Sequence, residues 1–257
     1  MTTPNYEYYG LMVRYWDLLR GDTSNWDDRF FFLNVIRKSG QPALDIGCAA
    51  GRLLIDYLAQ GIDIDGVDIS PEMISLCRLN AEKKGLKPNL YVQGMNELNL
   101  PRKYKTILVP SSSLQLLLEP GQPLQALKRF YDHLETGGIF ATPFMTLWRE
   151  GDPLEGDFVR EATRPEDGAT VRRTSWWRFN PKTNMEDTRD TYEVIRDGLV
   201  IETEVHEQAP ATLSYTQAEA VALFEQAGFK NIQVYSEFTF EPVKPADTVF
   251  SVTGIKP

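Results

Sequence analysis

The chain has 257 residues, 42% of them apolar, which suits one α/β domain or a core domain carrying an insertion. Its formal net charge of −9, without any Lys/Arg-rich run, repels phosphate backbones, so nucleic acid is not an expected partner. No run of about 18 apolar residues occurs, and the polar, aromatic N-terminus lacks the basic and apolar regions of a signal peptide, so the expected setting is cytoplasmic, away from membranes.

The first forty residues read as helical. Tyr8, Tyr9, Met12, Tyr15, Trp16, Leu18 and Leu19 recur at three- and four-residue spacing, Gly21-Asp22 interrupts them, and a second amphipathic stretch runs from about Trp26 to Arg37. Ala43-Leu44-Asp45-Ile46 is a short apolar run suited to a parallel strand buried on both faces. A glycine-bearing turn, Gly47 to Gly51, leads into helical spacing at Leu53, Leu54, Tyr57 and Leu58. Ile62 to Val67 is a second strand ending at Asp68. Ser70-Pro71-Glu72 then opens a helix, with Ser at the cap and Pro in the first turn. Further strands are expected at Leu90–Val92, Thr106–Val109 and Ile139–Pro143, with a helix from Leu124 to Leu134. Such alternation predicts a doubly wound, mostly parallel Rossmann-like sheet with right-handed crossovers.

Residues 146–210 break the pattern. Val171–Phe179, Thr188–Ile195 and Leu199–Val205, with a hairpin signal at Asp197-Gly198, predict an antiparallel β insertion of three strands. The core resumes over 211–257, so 1–145 and 211–257 make one expected unit and 146–210 a lid. Thr216 and Glu219 fit a capping box, the helix ends near Gly228, and Ile232–Tyr235 and Val249–Ile255 read as the last strands.

The chemistry concentrates at the first strand and turn. Gly47 and Gly51 keep side chains out of a space a ligand would fill, and a helix start supplies free N–H groups. Asp68 ends the next strand, where a carboxylate accepts from a ribose diol. Cys48 and Cys77 form no CxxC pair, and with only His133 and His206 in the chain no metal site is expected.

These pieces, together with Gln93-Gly94-Met95-Asn96, His133 to Gly138 and the helix ending Ala227-Gly228-Phe229, resemble the class I S-adenosylmethionine (SAM)-dependent methyltransferases, in particular small-molecule members such as amino-sugar and glycine N-methyltransferases. The resemblance implies SAM as cofactor. Gly47, Ala49 and Gly51 would surround its methionine part, Asp68 its ribose, and Ile69, Met73, Met95 and Asn96 its adenine, with Asp45 also a cofactor-binding residue. Tyr15, Pro110, Ser111 and Gln115 would complete that pocket. Ala49 replaces the usual middle glycine and is expected to have an unstrained φ. The nicotinamide fingerprint G-x-G-x-x-G is not matched, which sets an oxidoreductase behind, alongside a non-catalytic SAM-binding protein. The resemblance implies methyl transfer to a small molecule, nitrogen ahead of oxygen. Tyr8, Tyr9, Trp148, Trp176 and Arg178 are candidate acceptor residues. Residues 146–210 carry nine basic and fifteen acidic side chains, which favours a cationic or neutral acceptor. Neither histidine sits at an obvious catalytic place, and His133 is expected to be structural.

Overall fold

A computed structural model describes residue 6 and residues 8–257. Helices α1 (Gly10–Arg14), α2 (Trp16–Arg20) and α3 (Asp27–Ser39) precede an alternating series. It runs β1 (Ala43–Ile46), α4 (Arg52–Ala59), β2 (Ile64–Asp68), α5 (Pro71–Glu82), β3 (Leu90–Val92), β4 (Tyr104–Leu108), α6 (Gln122–His133) and β5 (Leu134–Met145). Four long strands follow: β6 (Glu155–Thr163), β7 (Thr170–Asn180), β8 (Met185–Arg196) and β9 (Leu199–Leu213). The chain closes with α7 (Gln217–Gln226), β10 (Lys230–Ser236) and β11 (Val249–Ile255).

Seven strands form one sheet in the order β10-β11-β5-β4-β1-β2-β3. Strands β1 to β5 run parallel, and β11 is antiparallel to both β5 and β10. The central strand β1 is buried throughout because alternate residues face two layers. Leu44 and Ile46 pack with Phe130, Phe140 and Phe224 on one side, while Ala43 packs with Phe32, Leu54 and Tyr57 on the other. The strand order reverses between β1 and β4, which opens a crevice at the carboxyl ends of these strands.

The two helix caps read from the sequence are present. Ser70 Oγ accepts from the Met73 N–H, and Thr216 and Glu219 form a capping box. Elsewhere the boundaries differ. The N-terminal stretch is two short helices that break at Tyr15, and β5 begins at Leu134, five residues ahead of the expected Ile139.

The other sheet is antiparallel, in the order β6-β7-β8-β9, and has one strand more than expected. Strand β6 exposes most of its side chains, so its sequence lacks the alternation that marks a half-buried strand. Leu11, Met12 and Tyr15 of the α1–α2 region pack on Val171, Tyr192 and Val194 of this sheet. The Gly10 N–H also donates to Glu72 of α5, so the N-terminal helices tie the antiparallel sheet to the core layer.

Candidate active site

At the carboxyl ends of β1, β2 and β4 lies a cavity of about 690 Å³. The turn after β1 forms its floor. Gly47 has φ +73°, and a Cβ added there would lie 3.2 Å from Ser113 Oγ. Ala49 has φ +47°, contrary to the unstrained backbone expected for it. The left-handed conformation costs an L-residue about 1–2 kcal/mol. It also aims the Ala49 N–H at Asp68 Oδ2, 2.9 Å away, so the turn and the next strand's carboxylate are locked together. Gly51 lies off the cavity wall. A Cβ there would come within 2.6 Å of Cys77 Sγ and Ile55 Cδ1, so packing between α4 and α5 demands this glycine rather than cofactor space.

Two buried carboxylates face the cavity. Asp68 also accepts from the Ser70 N–H at 2.9 Å, and burial holds its carboxyl above the ordinary range against these backbone bonds. Asp45 is pushed up to about 7, first by burial, then against the opposing pull of Arg52. Its Oδ1 is the one buried side-chain oxygen or nitrogen without a hydrogen-bond partner among the described residues. Arg52 is committed to a bidentate pair with Asp28. Arg20 is different: it lies between the rings of Trp16 (4.5 Å) and Trp26 (5.6 Å) and has no ion pair among the described residues. Burial and nearby Arg52 bring it down to about 10. An orphaned carboxylate oxygen and an unpaired guanidinium on one wall fit the ammonium and carboxylate of an amino acid. Nothing in the sequence spacing marks Arg20, because only folding brings α2 to the β1 turn.

Ile69 is half exposed beside Asp68 and, with Met95 and Asn96, lines a further part of the wall. Met73 does not, being wholly buried on α5. Pro110 and Ser111 line the cavity after β4, where Ser111 and Ser112 both take φ +56°. Gln115 points elsewhere. It is fully buried, its Nε2 donating to the carbonyls of Met145 (3.0 Å) and Leu213 (2.5 Å) and its Oε1 accepting from the Met145 N–H (2.6 Å).

The N-terminal segment and β9 close the opposite side. Tyr8 and Tyr9 are on the wall, fastened by Ser70 Oγ donating to the Tyr8 carbonyl and by Glu72 accepting from the Gly10 N–H. Tyr15 is not on the wall; its hydroxyl accepts from Arg164 in the packing between helices and sheet. His206, Glu207 and Gln208 of β9 line the cavity. Trp148, Trp176 and Arg178 do not. Trp148 stacks on Phe179, and Arg178 lies against Trp176 while pairing with Asp187 on the exposed sheet. His133 is structural: its Nδ1–H donates to the Arg129 carbonyl and its Nε2 accepts from Leu100 N–H.

Residues 43–138 match a family described as a methyltransferase domain. The chain is 31% identical to the aklanonic acid methyltransferase DauC of Streptomyces sp. (strain C5), over 54% of this chain and 68% of that one. It is 24% identical to the dTDP-3-amino-3,4,6-trideoxy-alpha-D-glucopyranose N,N-dimethyltransferase of Streptomyces venezuelae, over 73% of this chain and 70% of that one. The fold superposes on the sugar N-methyltransferase KedS8 from Streptoalloteichus sp. ATCC 53650 with a TM-score of 0.70 and 20% identity, covering 100% and 98% of the two chains. The glycine turn, the ribose-type carboxylate and these likenesses agree: the chain belongs to the class I SAM-dependent methyltransferases.

Proposed function

We propose that the chain transfers a methyl group from SAM to an amine nitrogen of a small molecule, with amino sugars carried on a nucleotide as the first class to test. SAM supplies a methyl group already activated by its sulfonium. The protein's part is to bind, orient and exclude water. Arg20 holds the cofactor's carboxylate and Asp45 its ammonium. Asp68 takes the ribose hydroxyls on the lone pairs its two backbone donors leave free. Ile69, Met95 and Asn96 flank the base.

The observation that carries the acceptor reading is the far wall of the same cavity. Tyr9, His206 and Gln208 present polar groups there, which suit an amine at the reacting end of the acceptor. The amino-sugar N,N-dimethyltransferase named above adds to it. Two measurements test the reading. Asp68→Ala should weaken SAM binding by at least tenfold in titration calorimetry, about 1.5–3 kcal/mol for hydrogen bonds to a charged acceptor. Mass spectrometry should then find methylated product from a dTDP-3-aminosugar panel and none from matched phenols. Product from the phenols alone would replace nitrogen by oxygen.

A further inference from the structure

His206 lies on β9, far in sequence from the cofactor turn, yet it is buried and belongs to the cavity wall. Strand periodicity puts Glu204 and His206 on one face, and Glu204 Oε1 meets His206 Nε2 at 2.7 Å. The same Oε1 accepts from the Leu11 N–H at 2.7 Å, so the carboxylate is fixed at the base of α1. Rings clamp the imidazole on two sides. Tyr9 lies 4.4 Å away, tilted, and Tyr192 meets it edge-on at 5.5 Å. With Nε2 taken by Glu204, Nδ1 has no hydrogen-bond partner among the described residues. A histidine held by a carboxylate on one nitrogen and open on the other is arranged to receive a proton.

We propose that His206 is the general base of the transfer, taking the acceptor's proton on Nδ1, with Glu204 as its positioning residue. The inference rests on the methyl-transfer reading above. For an ammonium acceptor, the N–H bond breaks and its proton goes to Nδ1, which leaves the amine lone pair free. That lone pair forms the bond to the methyl carbon as the carbon–sulfur bond breaks, its electron pair remaining on sulfur. Glu204 accepts from Nε2–H throughout and balances the imidazolium. The imidazolium later gives its proton to solvent.

Other titratable groups surround the ring. Tyr9 faces it from the N-terminal segment, its hydroxyl held above the ordinary value first by burial and then by Glu204. Tyr192 and Asp190 face it from β8, with Asp190 directly opposite His206 and already paired to Arg173 of β7. Glu207 follows on β9, and Glu72 of α5 holds the Gly10 N–H nearby.

The chain has two histidines, so ring nitrogen NMR reads His206 directly once His133→Gln has assigned the pair. With S-adenosylhomocysteine bound at pH 8, His206 should carry its proton on Nε2 and present a bare Nδ1 that becomes protonated on acidification. Glu204→Gln should shift that titration. A proton resting on Nδ1, or a ring that takes up none between pH 5 and 9, overturns the proposal whether or not an acceptor is known. For the first panel amine that the parent methylates, His206→Gln should lower kcat by about a hundredfold or more, the usual scale of general base catalysis, and leave SAM affinity unchanged. Its acid limb in the kcat profile should disappear, and imidazole should restore part of the rate to His206→Gly. A His206→Gln rate within threefold of the parent sinks the assignment. A failed panel with the expected ring titration condemns the choice of acceptor instead.

Discussion

Asp45 and Asp68 lie at the carboxyl ends of adjacent strands and line one cavity, but their surroundings set them apart. Asp68 has backbone donors on both oxygens, whereas Asp45 keeps one oxygen bare. Burial raises Asp45 from 3.8 to about 7. Between those values the folded chain holds a proton that the unfolded chain has lost. The resulting stabilisation is present in full below the unfolded value and disappears as pH rises through about 7. The ligand-free protein should therefore lose thermal stability between pH 5 and 8, and Asp45→Asn should flatten that part of the profile. If Asp45 receives the cofactor's ammonium, binding must ionise it and release a proton. Calorimetry near pH 6 (roughly, below the raised value) in two buffers of different ionisation enthalpy should register that release. Its absence would remove the ammonium from Asp45.

Among the elements, legibility followed locality. The β1 strand, its turn and Asp68 are legible because their signals lie within a few residues: an apolar run, glycines, a strand-end acid. The same holds for the caps at Ser70 and Thr216. Strand β6 is not legible because an exposed edge has no apolar alternation. His206 and Arg20 could not be found by spacing, since strand register and helix docking carry them to the wall. Gln115 shows the opposite error: a polar residue in the right loop whose side chain is spent on backbone. It ties the end of β5 to the end of β9. Gln115→Ala would take a partner from the Met145 N–H and the Leu213 carbonyl, while the Met145 carbonyl keeps the Tyr215 N–H; a buried backbone group left unsatisfied costs about 1–3 kcal/mol. Denaturant unfolding should show a loss of about 2 kcal/mol or more, with faster amide exchange over residues 211–213. A loss within about 0.5 kcal/mol, the range of ordinary surface changes, would show that the two strand ends hold together without it.

Across the whole molecule, the antiparallel sheet joins the core at a narrow place. Thr146 Oγ1 donates to the Tyr215 carbonyl at 2.8 Å and the Leu147 N–H donates to Ser214 Oγ at 2.9 Å, so the chain leaves and re-enters at neighbouring points. The insertion reaches Leu213, beyond the expected limit at 210, and a cut at 210 would sever β9 within its length. We propose that this sheet is the lid, acting through β9 and through the bed it gives α1 and α2. Excising 148–213 and joining the ends through a short glycine-serine linker should leave both layers around β1 intact. Asp45, Gly47, Asp68 and Ile69 belong to that core, so SAM binding should persist, weakened because Tyr8, Tyr9 and Arg20 lose their support. Methyl transfer should vanish, since the acceptor wall is gone and water enters. Circular dichroism must first show a folded product, and the newly bare face of α1 calls for Leu11 and Met12 to be made polar in the same variant. If that variant, folded and binding SAM, still methylates the parent's acceptor at the parent's rate, the sheet is scaffolding and the acceptor lies elsewhere.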